Sequence, residues 1–258
     1  MPFPSPRSPV RLVLTDVDDT LTWEGRLPHE SLRAMYRLQE AGIDLIPVTG
    51  ACAGWCDQMA RTWPVAAVIG ENGAFVIERR GRHLHYHDTQ DAALRAANLT
   101  RLGAVGAQLA ARFPGLAPAR DNGYRRYDFA LDHAQEVAPV AAAIVAEALV
   151  AAHALGVQAT ASSIHINLWL GEFSKRRSTS DWLQRRYGWD DAQAAERAVF
   201  IGDSLNDAQM FEAYPHSVGV ANIRPHLSAL PRAPAHITRE PGGLGFAEWV
   251  NAGLSAQR

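Results

Sequence analysis

Apolar residues in this chain fall into two kinds of run, and their order sketches the fold. Largely apolar stretches at 10–14, 43–48, 66–69 and 198–201, rich in Val, Ile and Leu and broken only by Arg11 and Asp44 near the starts of the first two, read as strands covered on both faces, as in a parallel sheet. Helical spacing fills the intervals. Pro28 opens one helix, which carries Leu32, Met35, Tyr36 and Leu38 and is closed by Gly42, and a second runs around 53–63. Strand, helix, strand predicts right-handed crossovers. From Ala74 the period changes to two, with 74–78 and 82–87 flanking Arg80-Gly81 in a hairpin pattern. Between about Thr89 and Leu170 two alanine-rich helical segments are followed by strand-like runs at 124–131, 157–162 and 164–170, the pattern of a separate α+β unit. After Lys175 the first pattern resumes: a helix, the strand at 198–201, a helix near 208–214 and a short strand at 217–221.

The expected fold class is therefore α/β: a Rossmann-like parallel-sheet core in two pieces, 1–87 and 171–258, with an α+β cap inserted at 88–170. Two of the apolar runs end abruptly in acid. The first delivers Asp16, Asp18 and Asp19, followed by Thr20; the last runs into Gly202-Asp203-Ser204-Leu205-Asn206-Asp207. Ligands of open α/β sheets gather beyond the carboxyl ends of the strands, so both clusters belong at one edge. If the chain stays extended, Asp16 and Asp18 point to one side and Asp19 away. Two carboxylates ~4 Å apart repel by about 4 kcal/mol at an effective dielectric of 20, so a positive group must join them. All-oxygen donors without His or Cys favour a hard ion, and few carboxylates completed by waters and a phosphate favour Mg²⁺.

Composition narrows the possibilities. A chain of 258 residues that is 47% hydrophobic has ample material for a core. With a net charge of −2 it lacks the basic face that nucleic-acid binding needs. Its two cysteines, Cys52 and Cys56, have no second pair or His neighbours to complete a zinc site and read as reduced core thiols. The proline-rich start, 1–9, reads as a loose leader without the apolar core of a signal peptide. The long apolar stretch 138–157 is alanine-rich with Glu147 at its centre, which suits a packing helix better than a membrane span. A cytoplasmic location and no membrane partner are the expectations. His83, His85 and His87 alternate on one strand face, where a solvated row outweighs a metal patch.

At its acidic strand ends the chain resembles the haloacid dehalogenase superfamily of aspartate-nucleophile phosphatases. Asp16-Val17-Asp18-Asp19-Thr20 resembles that family's first motif, Thr49-Gly50 the second, Lys175 the third, and Gly202 to Asp207 the fourth. The insertion between the second and third motifs, with Glu71-Asn72-Gly73-Ala74, resembles the branch with a large α/β cap, which includes Cof-like, sucrose-phosphate and mannosyl-3-phosphoglycerate phosphatases. The resemblance implies an HAD-like core and Mg²⁺-dependent hydrolysis of small phosphate monoesters, such as sugar phosphates, through an aspartyl-phosphate. It implies Asp16 as nucleophile, Asp18 as general acid and base, and Lys175 as the cation joining nucleophile and phosphate. Thr49, Gly50 and Asn206 would bind phosphate. The metal set would be Asp16, Asp18 through its backbone carbonyl, Asp203 and Asp207. Asp207 has a second reading, as the capping acid of the following helix. Ala51 and Arg176 stand where relatives often carry Arg and Gly.

Substrate contacts are expected from Glu71 and Asn72 in their loop and from Arg125, Arg126 and Tyr127 in the cap, where Arg offers a bidentate grip. The expected partner is a small phosphorylated metabolite. Two alternatives remain open at this point: a phosphomutase or phosphotransferase using the same Asp16 ester, and a sensor that binds the phosphorylated ligand without turning it over.

Overall fold

The structure, a computed structural model, describes residues 10–256; the leader 1–9 lies outside them. Strand β1 (Leu12–Thr15) runs parallel between β2 (Asp44–Pro47) and β10 (Ala198–Gly202), and β11 (Val218–Gly219) and β12 (His236–Ile237) extend the sheet in the order β12-β11-β10-β1-β2. Beyond β2 lies β3 (Ala67–Gly70), joined through Ala66 N–H to Leu45 C=O and Thr49 N–H to Ile69 C=O, both 2.9 Å. β3 then pairs antiparallel with β4 (Phe75–Arg80), and β4 with β5 (His83–Asp88). The parallel sheet therefore continues into the hairpin.

Continuous apolar strands serve two cores at once. Val13, Leu45, Val199 and Ile201 pack with α1 (His29–Glu40), α2 (Ala53–Thr62) and α8 (Gly242–Ala256), while Leu12, Leu14, Ile46 and Phe200 meet α5 (Lys175–Tyr187), α6 (Asp191–Arg197) and α7 (Ala208–Ala213) on the other face. Burial on both faces is why these strands carry no polar alternation.

The inserted unit has its own antiparallel sheet, in the order β6 (Ala117–Pro118), β7 (Asp128–Asp132), β9 (His165–Trp169), β8 (Gln158–Ala161). Helices α3 (Ala92–Arg112) and α4 (Ala142–Ala154) cover one face, over Leu102, Leu109, Leu131, Ile166 and Leu168. β9 alternates strictly: Ile166 and Leu168 face the helices, while His165 and Asn167 face the core's carboxyl edge. The two connecting strands are clasped where Gln90 Nε2 donates to Leu170 C=O at 2.8 Å. The strand expected at 124–131 is shorter, because 120–124 curls into a 3₁₀ turn before β7. α8 and β12 were not anticipated. No described helix is long and apolar enough to cross a membrane.

Candidate active site

β1, β2 and β10 end level, with Thr15 opposite both Ile201 and Pro47, so whatever follows each strand meets at one edge. Asp16 adds one more rung, its N–H donating to Ile201 C=O at 2.9 Å. The chain then turns. The N–H groups of Thr20, Leu21 and Thr22 converge on Val17 C=O, and Asp19 takes a left-handed φ of 56°. The expectation that extended backbone sets Asp16 and Asp18 to one side and Asp19 away is therefore corrected. β1 stops at Thr15, and the turn brings all three acids to the wall of one cavity.

From the other strand end come Asp203 and Asp207. Oxygens of Asp16, Asp203 and Asp207 lie within 4.8 Å of one another, and all three residues are buried. Lys175, the first residue of α5, donates to Asp16 Oδ1 at 2.7 Å and to Asp207 Oδ1 at 2.8 Å. The other Asp207 oxygen accepts the N–H groups of Asp203 and Ser204 at 3.1 and 3.4 Å, so one carboxylate both caps its loop and joins the cluster. Gly202 is required here, since a β-carbon would stand 2.4 Å from Asp207 Oδ2. Asp203 is held by Thr20 Oγ1 at 3.1 Å and Asn222 Nδ2 at 3.0 Å; Asn222 escaped the sequence reading. Lys175 itself is placed from behind. Gly73 (φ 106°) lies so close to α5 that a side chain would strike the Ser174 backbone, and its carbonyl accepts Ser178 Oγ at 2.6 Å.

Burial dominates the electrostatics. It pushes the Asp16 carboxyl up to about 7, with Asp207 and Asp18 adding and Lys175 opposing. Burial and then Asp19 raise Asp18 to about 6, and burial with Asp16 and Asp207 lifts Asp203 well above the carboxylate range. Burial alone would lower Lys175, but Asp16 and Asp207 hold its ammonium charged above the usual value. Three buried carboxylates against one ammonium leave negative charge unbalanced, and the donors are all oxygen. Those are the features of a site for a hard divalent cation. The Asp18 carboxylate stands outside that group.

Around the cluster, Thr49 is fully buried and its Oγ1 accepts Ala51 N–H at 3.0 Å. Gly50 C=O accepts Arg125 Nη1 at 3.1 Å. Asn206 touches both halves of the molecule, donating to Asn72 Oδ1 at 3.3 Å and accepting Thr160 Oγ1 of β8 at 3.1 Å.

The expected substrate contacts are mostly something else. Glu71 is fully buried and accepts four backbone N–H groups, from Ala53 (2.8 Å), Arg126 (2.9 Å), Tyr127 (2.6 Å) and Asp128 (3.1 Å). It ties the start of α2 to the cap and cannot reach a substrate. Tyr127 is core, packed between Phe75 and Phe173. Arg126 turns to the hinge, pairing with Asp88 at 3.2 Å. Arg125 does line the cavity, but its guanidinium is occupied by Asp121 at 2.7 Å and Asp128 at 2.9 Å. Asn72 is buried beside Asn206. Of the alternating histidines, His83 and His85 are exposed, and His87 sits 3.3 Å from Glu78 Oε2.

The cavity between core and cap measures about 600 Å³ and runs from Asp16 and Asp18 to Trp23, Trp55 and Trp63 on the core and Gln135, Ser162 and His165 on the cap. The alternation within β9 was the available signal for His165 and Asn167. No pattern in the sequence marked the three tryptophans.

Comparison with known proteins places this geometry. A family model described as sucrose-6F-phosphate phosphohydrolase matches residues 9–239. The chain belongs to that family. Two curated relatives match nearly the full length of this chain: phosphoglycolate phosphatase of Pyrobaculum neutrophilum, 30% identical over 95% of this chain and 96% of its own, and that of Methanothermobacter thermautotrophicus, 29% identical over 93% and 97%. Among solved structures, a Thermoplasma acidophilum protein superposes with a TM-score of 0.73 at 16% identity, covering 95% of this chain and 98% of its own. The sucrose-phosphatase of Synechocystis, in complex with sucrose and phosphate, gives 0.63 at 17% identity, covering 94% and 97%. At such identities the structures show the fold, an α/β haloacid dehalogenase-like core with a cap. The family and its relatives together make the chain a phosphoric monoester hydrolase, while their names divide over the ester.

Proposed function

We propose that this phosphatase is Mg²⁺-dependent and hydrolyses small phosphate monoesters of sugars or related metabolites through an aspartyl-phosphate on Asp16. The observation that carries this reading is the buried cluster of Asp16, Asp203 and Asp207 around Lys175, opening on the cavity under the cap. Hydrolysis of phosphate monoesters needs accelerations of up to about 10²¹, and a covalent route divides the barrier. Lys175 fixes Asp16 by one oxygen, leaving the other to attack phosphorus in line. As the ester P–O bond breaks, the leaving oxygen takes a proton from Asp18, whose raised carboxyl is suited to act as an acid near neutrality. Water then attacks the aspartyl-phosphate, Asp18 takes its proton, and inorganic phosphate leaves with Asp16 regenerated. Bound Mg²⁺, held by Asp16, Asp203, Asp207 and the Asp18 carbonyl, would supply charge stabilisation to the transferring phosphoryl oxygens. Thr49, Gly50 and Asn206 would steady that group.

The unit at 88–170 acts as a lid in this reading, excluding water from the reacting centre. A small phosphorylated metabolite is the partner in this reading, and the net charge of −2 accords with no nucleic-acid role. The buried free thiols Cys52 and Cys56, raised by burial, accord with a cytoplasmic location. The test is phosphate release from a panel of esters with and without chelator, coupled to trapping of a phosphoryl label. Activity should vanish on chelation and return with Mg²⁺. Asp16→Asn should abolish the label, and Asp18→Asn should slow turnover by roughly 10²–10⁴. Equal activity with no divalent cation, or a label on another residue, would overturn the reading.

A further inference from the structure

Trp55 is the anomaly of the core surface: it is 57% exposed, on a helix that begins three residues after Gly50. Trp55 and Met59, four apart, share one side of α2, Trp63 follows immediately after its last residue, and all three line the cavity that holds Asp16 and Asp18. The core face of α2 is supplied by Ala53, Cys56 and Ala60, with Met59 shared and Trp63 packed against its edge, which leaves Trp55 to the cavity. Met59 is a buried floor to this row and Trp63 is half-buried, but the Trp55 indole stands open to a cavity of about 600 Å³, a feature that ligand sites use and cores do not. Across from it the cap presents Ser162, Ser163 and Gln135.

We infer that the α2 row Trp55–Met59–Trp63 is a specificity-determining surface on which the alcohol portion of the substrate lies, and that this portion is a sugar ring rather than a short carboxylate. The inference rests on the phosphatase reading above. A sugar ring has an apolar C–H face and hydroxyl edges; the indole row meets the first and the cap's hydroxyls and amide meet the second. A leaving group bearing a carboxylate finds the opposite charge already taken. Arg125, the cavity's cation beside these groups, is held by Asp121 and Asp128, and Asp121 and Glu24 line the same cavity. Selectivity is therefore seated partly in the core, immediately after the phosphate loop, so that one helix start serves the phosphate and its first turns serve the ring.

The experiment is steady-state kinetics of the full chain with Mg²⁺ on glucose 6-phosphate, fructose 6-phosphate and phosphoglycolate, comparing wild type, Trp55→Ala and Trp55→Phe. Covering one indole face at roughly 25 cal/mol per Å² supplies about a factor of ten. In Trp55→Ala the ratio of kcat/KM for the better hexose phosphate to that for phosphoglycolate should fall about tenfold, and Trp55→Phe should restore most of it. Because Trp55 is exposed, its truncation does not open the core. A ratio unchanged within twofold, or a wild type that prefers phosphoglycolate, would overturn the row while leaving the phosphatase reading intact. A wild type that releases phosphate from none of these or the wider panel would overturn that reading and the row with it.

Discussion

Replacing Lys175 by Met removes the positive charge from a group of three buried carboxylates while keeping the length of the side chain. Its Nζ lies 2.7 and 2.8 Å from Asp16 and Asp207, contacts worth about 6 kcal/mol each in gross attraction at an effective dielectric of 20. Most of that offsets the desolvation of the three groups. What the variant leaves is carboxylates within 4.8 Å of one another, each pair repelling by about 3.5 kcal/mol or more at the same dielectric, partly relieved by proton uptake. Breaking a buried ion pair from one side costs about 3–5 kcal/mol. For a chain of this size that is a fall in melting temperature of roughly 6–20 °C. The assay is thermal unfolding in chelator and again in saturating Mg²⁺. Lys175→Met should melt far below wild type without metal, and the gap should narrow with Mg²⁺, which restores positive charge at the same carboxylates. Adding Asp207→Asn should recover part of the loss, since removing both members of a buried pair is milder than removing one. A metal-free Lys175→Met protein that melts within about 2 °C of wild type would refute the charge-balance argument for the site.

Two further outcomes can be checked. His165 is buried with no hydrogen-bond partner for Nε2 among the described residues, and burial, with Arg125 adding, depresses its pKa to about 4; the fold thus holds it neutral while the unfolded chain protonates near 6.5. The stability this gives is present above about pH 6.5 and is lost as pH falls toward 4, about 2 kcal/mol between pH 7 and 5. Denaturant unfolding of His165→Gln should show a pH slope smaller by that amount, and an unchanged slope would count against it. Gly202→Ala should drive the Asp207 carboxylate off the Asp203 and Ser204 N–H groups, because the new methyl would sit 2.4 Å from its oxygen. Overpacking of this kind costs about 1–3 kcal/mol, and divalent-ion affinity measured by calorimetry should drop with it; intact affinity would mean the loop adjusts without moving the acid.

The parts of the molecule legible in the sequence are those where one physical cause dominates. β1, β2 and β10 are buried on both faces, so their apolar runs have no other reading, and the acids that end them had to lie at the sheet's edge. Lys175 needed the resemblance as well, because Arg176 and Arg177 follow it with nothing in composition to separate them. Glu71 and Tyr127 were misplaced for a common reason. A carboxylate in a Gly-Asn loop and a Tyr beside two Arg look like surface chemistry, but the four N–H groups that receive Glu71 come from residues 53 and 126–128, and the rings that enclose Tyr127 come from 75 and 173. Only the closed fold brings them together. α8 went unseen because its glycine-rich start has low helix propensity, which packing of Phe246 and Val250 against the sheet overrides.

The strand order β12-β11-β10-β1-β2 also sets a timetable. Leu12 pairs with Ala198, so the central strand, made first, waits for a neighbour made near the end. At ~5–20 residues per second the ribosome needs roughly ten to forty seconds to reach it. Throughout that interval the inserted unit, whose sheet and two helices are local in sequence, can fold, whereas the strand that leads into Asp16 has only β2 beside it. Asp16 is therefore not crowded by Asp203 and Asp207 until Lys175, which precedes both in the chain, has already been made. The nascent enzyme acquires its cation before its surplus of negative charge, and substitutions in β1 should show their main effect on the last, slow closure of the core rather than on the early folding of the cap.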